Sequence, residues 1–464
     1  MNDISDLLKA DTGQNAITIT LVDKSSFEGW LKDQGERTRA AIYAQKFAGK
    51  GYEYAILPGD KPEAWSVVAG VANVESLSSW CLAKLAENLP GGTYRLADGN
   101  PGPAALGWLT SQYKFDRYRS DKSGNIPESR ILLSREAGRI EPIVRLARAT
   151  YLVRDLVNTP TADMGPSELE KTVETLARAH DATVTVTHGD TLEQSYPMIH
   201  AVGRAAGRTH APRLIEMSWG NPEHPRVAIV GKGVCFDSGG LDIKPSSAMR
   251  LMKKDMGGAA HAIALAQLIL ENRLPIRLHL LIPAVENAIA GNAFRPGDIL
   301  ATRNGMTVEI GNTDAEGRLV LGDAITRAAE DKPELLLDFA TLTGAARVAL
   351  GPDLPAMFAN DDDLANQLSS SGNAHDDPTW RLPLWSNYED MLKSDIADIN
   401  NAGEGGFAGA ITAALFLQKF VPDEVQWAHF DTFAWRPAAK PGRPKGGEAL
   451  GLRAAFAMLE TRYS

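Results

Sequence analysis

The sequence has few cysteines and no long apolar run. Cys81 and Cys235 are the two cysteines among 464 residues, which excludes a disulfide-held secreted scaffold and suits a reducing compartment. No segment approaches the ~18 uninterrupted apolar residues that a membrane-spanning helix needs. The first residues, MNDISDLLKADTG, lack the basic start and apolar stretch of a signal peptide. We therefore expect a cytoplasmic protein without membrane contacts.

Positive charge is also scarce. Lysine and arginine total 48 against 58 aspartate and glutamate, which gives a net charge of −10 with histidine neutral. An acidic chain repels phosphate backbones unless its bases cluster, and no strong basic run occurs. The composition therefore disfavours nucleic acid as a partner. With 44% apolar and 23% charged residues, the chain is typical of globular proteins rather than of disordered, collagen-like or coiled-coil ones.

The length exceeds that of one ordinary core and predicts two domains, with three as the alternative. Residues 1–130 mix strand-like and helical pieces, which predicts a smaller α/β domain. They carry no recognisable set of catalytic residues. Residues 131–165 predict a bridging helix and linker, with apolar residues at helical spacing. In residues 166–464 strands alternate with helices, and Arg226–Gly231 (RVAIVG) is typical of a strand buried on both faces. We expect an α/β fold whose C-terminal domain has a mixed, largely parallel sheet flanked by helices on both faces.

Two segments of this C-terminal part concentrate chemistry, Val230–Asp255 and Asn312–Leu319. The first follows the RVAIVG strand, and open α/β sheets bind ligands at the carboxyl ends of their strands. Its glycines allow tight turns and close approach to a ligand. The charged residues singled out in the two segments are Lys232, Asp237, Lys244, Asp255, Asp314, Glu316 and Arg318.

The carboxylates among these residues would bring four negative charges together if they converged: Asp237, Asp255, Asp314 and Glu316. Closely packed like charges cannot all stay ionised without compensation. Two divalent cations supply that compensation, and oxygen ligands suit Zn²⁺, Mn²⁺ or Mg²⁺. Two metals ~3.5–4 Å apart share a water and lower its pKa towards ~7. With Lys244 and Arg318 left to face an anionic transition state, the set outlines a hydrolytic site.

Each part also has a structural explanation. A glycine-rich turn is weak support alone, Asp-x-Glu is commonplace, and Asp255 can be read as a helix cap. We expect Cys235 to be a packed thiol, His261 to be structural and His429 to satisfy a backbone group. The sequence has no His-Glu-x-x-His and no Gly-x-Ser-x-Gly pattern, so zincin and serine-hydrolase mechanisms have no support.

The segments VGKGVCFDSGGLDIKP, KDMGGAA and NTDAEGRLVLGDA closely resemble the leucyl aminopeptidase (cytosol aminopeptidase) family of dinuclear metallopeptidases. NTDAEGRL is that family's hallmark, and the spacings between the segments match. The resemblance covers roughly residues 150–464. It implies a homohexamer and, by analogy alone, a macrodomain-like fold for the N-terminal domain.

Carried over by position, the resemblance implies that Asp237 and Glu316 bridge two metal ions. Lys232 and Asp255 would complete the tighter site, and Asp314 the exchangeable one. Mn²⁺ or Zn²⁺ are the implied metals, with Mg²⁺ or Co²⁺ as further candidates for the exchangeable site. Lysine ligates a metal only as the neutral amine, so we expect the cations to lower the pKa of Lys232 strongly.

The implied reaction is removal of the first residue from peptides with a free N-terminus, through a hydroxide that bridges the metals. Lys244 would polarise the scissile carbonyl and stabilise the oxyanion. Arg318 would hold a bicarbonate that acts as general base. The implied first side-chain pocket is adaptable and apolar, which suits leucine or methionine with broad specificity, and its remaining wall is expected near Gly446–Leu452. Its predicted residues are Met252, Asn312, Ala315, Thr341 and Gly344.

Two other functions stay open at this point. The first is another two-metal hydrolase, such as a phosphoesterase, although a lysine ligand and the complete NTDAEGRL context weigh against it. The second is a nucleotide- or DNA-binding protein whose peptidase half is vestigial. The intact ligand set and the acidic composition weigh against that alternative.

Overall fold

The computed structural model describes residues 4–61, 63–120, 128–403 and 405–464. Backbone contacts divide the chain into two units, one of Met1–Tyr151 with Ala438–Lys445 and one of Leu152–Pro437 with Gly446–Ser464. The division falls within one helix, α5, Ile140–Asn158. Among the described residues, no helix has the length and apolar character to cross a membrane.

The first unit contains a six-stranded sheet with strand order β1-β6-β5-β2-β4-β3, in which only the β3–β4 pair is antiparallel. Buried Tyr94 and Trp108 contribute to its core, with their rings 5.5 Å apart. Its strands are β1 Leu8–Ala10, β2 Ile17–Val22, β3 Tyr54–Pro58, β4 Trp65–Gly70, β5 Gly92–Leu96 and β6 Arg130–Ser134. Its α-helices before α5 are α1 Phe27–Lys32, α2 Glu36–Ala44, α3 Ala83–Asn88 and α4 Ala104–Thr110. The α/β prediction for this region is confirmed, and the likeness to macrodomains stays a prediction.

The second unit is built on a nine-stranded mixed sheet of order β16-β15-β18-β14-β9-β11-β8-β7, with β10 paired to β11. The central strands β18, β14, β9 and β11 run parallel, as predicted. The strands of the unit are β7 Thr183–His188, β8 Arg213–Trp219, β9 Arg226–Gly231, β10 Gly233–Asp237, β11 Arg277–Asn287, β12 Ile299–Ala301, β13 Thr307–Glu309, β14 Leu335–Ala340, β15 Ala356–Ala359, β16 Trp380–Arg381, β17 Ile399–Asn400, β18 Gln426–Asp431, β19 Trp435–Arg436 and β20 Gly446–Gly447.

Helices cover both faces of this sheet. Val230 of β9 packs in the cluster that contains residues of α11, whereas the next residue, Gly231, faces Ala259 and Ala262 of α10. Successive strand residues point to opposite faces, so α10 and α11 cover opposite sides of β9. The α-helices are α6 Pro166–Ala179, α7 Gly189–Ser195, α8 Pro197–Gly203, α9 Ser246–Met249, α10 Gly257–Asn272, α11 Glu316–Glu330, α12 Gly344–Leu350, α13 Asp362–Ala374, α14 Gly409–Gln418 and α15 Leu452–Tyr463.

The parallel centre brings several strand ends to one edge of the sheet. The backbone N–H of Lys232, just after β9, donates to the carbonyl of Phe339 in β14 at 2.9 Å. The N–H of Thr432, just after β18, donates to the carbonyl of Ala340 at 2.8 Å. The segments that follow β9, β14 and β18 therefore meet at the carboxyl edge, where α/β proteins bind ligands.

Local patterns succeeded and failed in identifiable ways. The Asn304-Gly305 pair predicts a hairpin, which is confirmed by the antiparallel pairing of β12 with β13. The apolar run 407–421 predicts a fully enclosed helix, but the helix begins at Gly409 and the Phe407 side chain is 86% exposed. That prediction is wrong at its first turn, because composition does not show which side of a segment the rest of the protein covers.

Candidate active site

Three carboxylates from different elements converge at the carboxyl edge of the large sheet. Asp237 ends β10, Asp255 lies in a short 3₁₀-helix over Met252–Met256, and Glu316 is the first residue of α11. One oxygen of each lies within 4.8 Å of the others, and all three residues are buried. Segments far apart in sequence thus form one acidic cluster, the geometry on which the sequence-based prediction depends.

Lys232 lies within this cluster. Its Nζ is 2.6 Å from Oδ2 of Asp255 and 2.9 Å from Oε1 of Glu316. A Cβ at Gly317 would lie 2.7 Å from the same Nζ, so glycine at that position lets the first turn of α11 approach the lysine closely. Lys232 therefore occupies the centre of the carboxylate group rather than its rim.

Lys244 joins Asp314 to the cluster. Its Nζ is 2.8 Å from Oδ2 of Asp237 and 2.5 Å from Oδ1 of Asp314. The Asp314 side chain is 32% exposed and that of Lys244 is 13% exposed, whereas the cluster beneath them is almost fully buried. This second lysine–carboxylate pair lies where solvent and substrates have access.

The pKa values of the carboxylates differ, because the lysines compensate some of them more than others. Burial, together with the charge of Asp237, raises the pKa of Glu316 to about 8 despite the two lysines nearby. Burial and Asp237 likewise raise the pKa of Asp314 to about 6. Burial alone would also raise the pKa of Asp255, but Lys232 and Lys254 outweigh it and hold that pKa below its usual range. The lysines alone therefore leave negative charge in the cluster under-compensated.

The pKa of Lys232 is raised in these surroundings. Burial lowers it, but the charges of Asp255 and Glu316 outweigh burial and hold the ammonium form well above its usual range. The sequence-based expectation of a lowered pKa concerns a different state, in which Lys232 lies beside two bound cations. It therefore stays a prediction. Added positive charge acts in the required direction, because it disfavours the ammonium and frees the lone pair of the amine.

The donor set fits divalent metal ions. Three buried carboxylate oxygens have a lysine ammonium at ion-pair distance and accept no further hydrogen bond from the described residues: Oδ2 of Asp255, Oε1 of Glu316 and Oδ1 of Asp314. A carboxylate oxygen with one such partner keeps a lone pair that a divalent cation could accept. Several carboxylates with one amine suit hard to borderline divalent ions.

Asn287, at the end of β11, orients the cluster and was not predicted from the sequence. Its Nδ2 donates to Oδ1 of Asp237 at 2.9 Å and to the carbonyl of Thr313 at 3.1 Å. The N–H of Gly239 donates to the same Asp237 oxygen at 2.9 Å, in a turn where Gly239 has φ +88°. One amide thereby links the two predicted segments. A lone asparagine at a strand end gave no sequence signal for this role.

Asn401 acts similarly on the NTDAEGRL loop and was also missed. Its Oδ1 accepts from the N–H of Gly311 at 2.8 Å, and its Nδ2 donates to the carbonyls of Asn312 and Ala315 at 2.8 and 3.2 Å. Its own carbonyl accepts from Nη1 of Arg318 at 2.7 Å. Asn401 follows the two-residue strand β17, which pairs with β13 and gives little pattern in the sequence.

Arg318 is buried, and burial lowers its pKa to about 10. Its Nε is also buried and has no hydrogen-bond partner. A buried guanidinium with a vacant donor suits a small planar anion, which forms paired hydrogen bonds with such a fork.

A cavity of about 450 Å³ opens over the cluster. All twelve sequence-predicted site residues line it: Lys232, Asp237, Lys244, Met252, Asp255, Asn312, Asp314, Ala315, Glu316, Arg318, Thr341 and Gly344. The expectation that residues 446–452 form the remaining wall is wrong, because none of them lines the cavity. The loop after β18 supplies that wall instead, through Asp431, Thr432 and Phe433.

The residues given structural roles lie away from this lining. Cys235 is fully buried, and burial raises the pKa of its thiol. His261 is structural as predicted, because its Nε2 accepts from the N–H of Leu450 at 3.0 Å. His429 does not satisfy a backbone group as expected. Its Nδ1 lies 2.5 Å from Oδ1 of Asp338 on the neighbouring strand.

Comparisons with known proteins cover both units. A family model described as the cytosol aminopeptidase family, catalytic domain, matches residues 151–456. A second, described as the M17 aminopeptidase, N-terminal domain, matches residues 17–131. The probable cytosol aminopeptidase of Syntrophotalea carbinolica is 40% identical over 369 residues, which span 76% of this chain and 73% of that protein. That of Roseiflexus castenholzii is 42% identical over 365 residues, 75% of this chain and 73% of its own length.

Solved structures give the same result. The cytosol aminopeptidase from Coxiella burnetii superposes with a TM-score of 0.93 at 46% identity, over 99% of this chain and 100% of that one. The bottromycin maturation enzyme BotP in complex with Mn superposes with a TM-score of 0.87 at 30% identity, over 97% of this chain and 100% of that one.

Proposed function

Because the chain belongs to the cytosol aminopeptidase family of metal-dependent exopeptidases, which act on peptides, we propose that its acidic cluster binds two divalent cations. Asp237 and Glu316 would contribute to both sites, Lys232 and Asp255 would complete one of them, and Asp314 would complete the other. The convergence of three buried carboxylates within 4.8 Å carries this proposal. Mn²⁺ or Zn²⁺ are the proposed ions, with Mg²⁺ or Co²⁺ as alternatives in the site of Asp314, the more exposed ligand. When bound, the cations lower the pKa of water and polarise a carbonyl.

Lys244 is the proposed electrophilic residue. Its ammonium lies at the accessible edge of the cluster, where it now pairs with Asp237 and Asp314. With those carboxylates holding metal ions, the Lys244 ammonium would donate to the oxygen of the scissile carbonyl as negative charge develops on it. A hydrogen-bond donor that is already oriented towards the developing charge lowers the barrier more than one that must first reorient.

Arg318 is proposed to bind bicarbonate through the donor that lacks a partner. Asn401 fixes the guanidinium by accepting from Nη1, which leaves Nε without a competing acceptor among the described residues. When bound there, bicarbonate supplies a general base. No histidine lines the cavity in the described residues, in agreement with a base that is not a side chain.

The substrate proposed for this site is a peptide with a free N-terminus. Met252, Ala315, Thr341 and Gly344 line the cavity and offer methyl, thioether and backbone surface. An apolar, adaptable lining favours leucine and methionine and separates them by only ~1–3 kcal/mol, so broad specificity is expected.

Release of p-nitroaniline from Leu-p-nitroanilide, with and without added Mn²⁺, tests this function. We expect metal-dependent release and two metal ions per chain by elemental analysis. Phosphatase activity on p-nitrophenyl phosphate without anilide hydrolysis would overturn the proposal in favour of a phosphoesterase.

We further propose a cytoplasmic homohexamer, with an N-terminal domain of residues 1–130, a bridging helix and linker of 131–165 and a catalytic domain of 166–464. The two matching family models and the two contact-defined units support a division into an N-terminal and a catalytic part. Light scattering coupled to size-exclusion chromatography tests the hexamer, and a monomeric mass would contradict it.

A further inference from the structure

Two cations line the cavity besides those assigned to metal binding and catalysis. Lys254 precedes Asp255 in the 3₁₀-helix and is 3% exposed, whereas Arg347 lies on α12 and is exposed. Both lie against the ring of Phe433, with Lys254 Nζ 5.5 Å and Arg347 Cζ 4.7 Å from its centroid. Three different segments thus place two positive charges around one aromatic side chain at the cavity wall.

Arg347 has no carboxylate partner among the described residues, and Lys254 has one only in a long ion pair with Asp255, at 3.4 Å. Among the described residues, the one hydrogen bond from Lys254 Nζ is a long contact of 3.4 Å to Oδ1 of Asp255. That oxygen already accepts from Thr341 Oγ1 at 2.7 Å, and the other oxygen of Asp255 lies 2.6 Å from Lys232. Arg347 forms no ion pair with any described residue, and its side-chain partner is the Phe433 ring.

The acidic side chains that line the cavity are also engaged elsewhere. Four of the five acidic side chains in the described lining belong to the proposed metal cluster, and the fifth is Asp431. Asp431 is occupied, because it accepts from the N–H groups of Leu342 and Thr343 and from the Thr343 hydroxyl. Lys254 therefore shares the charge of Asp255 with Lys232, and no acidic side chain of the described lining is left to neutralise Arg347. A cation held in a pocket without a partner is stabilised by a ligand that brings one.

We propose that Lys254, Arg347 and Phe433 form a carboxylate-binding wall that selects peptides carrying a carboxylate within its reach. This inference rests on the proposed aminopeptidase function and adds a substrate class to the leucine and methionine peptides considered above. Arg347 supplies a planar fork that matches a carboxylate, Lys254 adds a second charge, and Phe433 packs against the methylene groups of the substrate. The carboxylate belongs either to an acidic first residue or to the C-terminus of a short peptide, and both present the same chemistry.

Matched substrate pairs separate these two sources. Glu-Ala-amide against Gln-Ala-amide tests the acidic first residue, and Leu-Ala against Leu-Ala-amide tests the C-terminal carboxylate. We expect kcat/KM of the metal-loaded enzyme to favour the carboxylate-bearing member of at least one pair. In Arg347→Gln and in Lys254→Gln this ratio should fall by about tenfold, as for loss of a close charge pair. Arg347→Lys, which keeps the charge, should restore part of it.

Arg250→Gln is the matched control, because Arg250 is exposed, does not line the cavity and changes the net charge equally. Its ratios should equal those of the wild type. A second measurement, independent of turnover, is calorimetric titration with free glutamate and glutamine. If the acidic first residue is the source, glutamate should bind more tightly than glutamine to the wild type and lose that advantage in Arg347→Gln. If the C-terminus is the source, the two amino acids should bind alike and only the Leu-Ala pair should respond.

Ratios near one in the wild type, or ratios unchanged in both glutamine variants, would overturn the proposal. Failure of the proposed function itself is a different result, namely no hydrolysis of Leu-p-nitroanilide by the metal-loaded wild type. Arg347 is exposed, so its substitution is expected to leave folding intact, and thermal unfolding checks this. The Lys254 variant then serves as the second, independent substitution.

Discussion

Both units are built on a sheet that contains parallel strands, but they differ in how many charged residues they bury. In the described part of the first unit, Asp23 is the one buried side chain that carries a charge. The second unit buries many more, among them Lys232, Asp237, Lys254, Asp255, Glu316, Arg318, Asp323, Asp338, Asp431, Arg436 and Glu448. Burying a charge costs free energy unless partners compensate it, so a fold accumulates such residues only where they pair or serve a site.

The hydrogen-bond and ion-pair partners of these buried charges show which of them are structural and which belong to a binding site. The Asp23 carboxylate accepts from Ser25 and Ser26 in its own turn and from the N–H of Val74, 51 residues further along the chain. In the acidic cluster of the second unit, several carboxylate oxygens have a lysine ammonium beside them and no other described donor. A carboxylate held by several fixed N–H and O–H donors is typical of a structural charge, whereas several carboxylates that share a few ammonium groups are typical of a site that binds a cation.

The largest effect should come from removing a carboxylate of the cluster. Glu316→Ala or Asp255→Ala should lose metal and nearly all peptidase activity, because the remaining donors cannot balance and hold two cations. A chelator should have the same effect on the wild type, reversed by added Mn²⁺. Metal content and Leu-p-nitroanilide hydrolysis measure this. Asp60→Ala, which removes an exposed carboxylate of the first unit, is the control and should change neither.

Lys244→Ala should keep both metals yet reduce turnover by about 10²–10³-fold, the scale of removing one oxyanion donor. Elemental analysis alongside kcat separates this result from metal loss. Full activity in the variant would remove the assignment of Lys244, and loss of metal would give it a role in binding instead.

Asp323 tests whether buried charge outside the cavity is purely structural. Its carboxylate accepts from the N–H groups of Met198, Ile199 and Arg303, and burial raises its pKa to about 7. Asp323→Ala leaves three backbone N–H donors without their acceptor, two of them in buried hydrogen bonds, and should reduce the free energy of unfolding by about 1–3 kcal/mol. Denaturant titration measures this. Asp323→Asn keeps one acceptor and should lie between, with turnover of the folded enzyme preserved in both.

The smallest effect should be a pH dependence in the first unit. Hydrogen bonds from Ser25, Val74 and Ser26 hold the pKa of Asp23 well below its usual range. The folded unit therefore prefers the carboxylate, which stabilises it above about pH 4, and this contribution is lost as the pH falls further. Asp23→Asn should flatten the acid side of a plot of melting temperature against pH. Equal acid sensitivity of variant and wild type would contradict the assignment, and peptidase activity at neutral pH should not change.

Much of the site could be predicted because its chemistry lies in two short segments. Lys232, Asp237 and Asp255 follow one strand, and Asp314, Glu316 and Arg318 share one loop. Residue type and position within these segments singled out the charged residues, whereas the resemblance to the family supplied the five pocket residues, and all twelve line one cavity. Asn287 and Asn401 were missed, because each is a single amide on a distant element whose role exists only after the strands are paired.

By itself the sequence determined that the chain folds into α/β units and that it carries a surplus of carboxylates beside lysine and arginine at strand ends. Hydrophobic periodicity and local charge encode these properties directly. Only the tertiary structure decided which wall closes the pocket, because Phe433, Lys254 and Arg347 come from separate segments and become neighbours through packing. A linear sequence does not contain the distances between these side chains, so their proximity could not be predicted from it. Substrate preference is therefore less predictable from this sequence than the catalytic residues are.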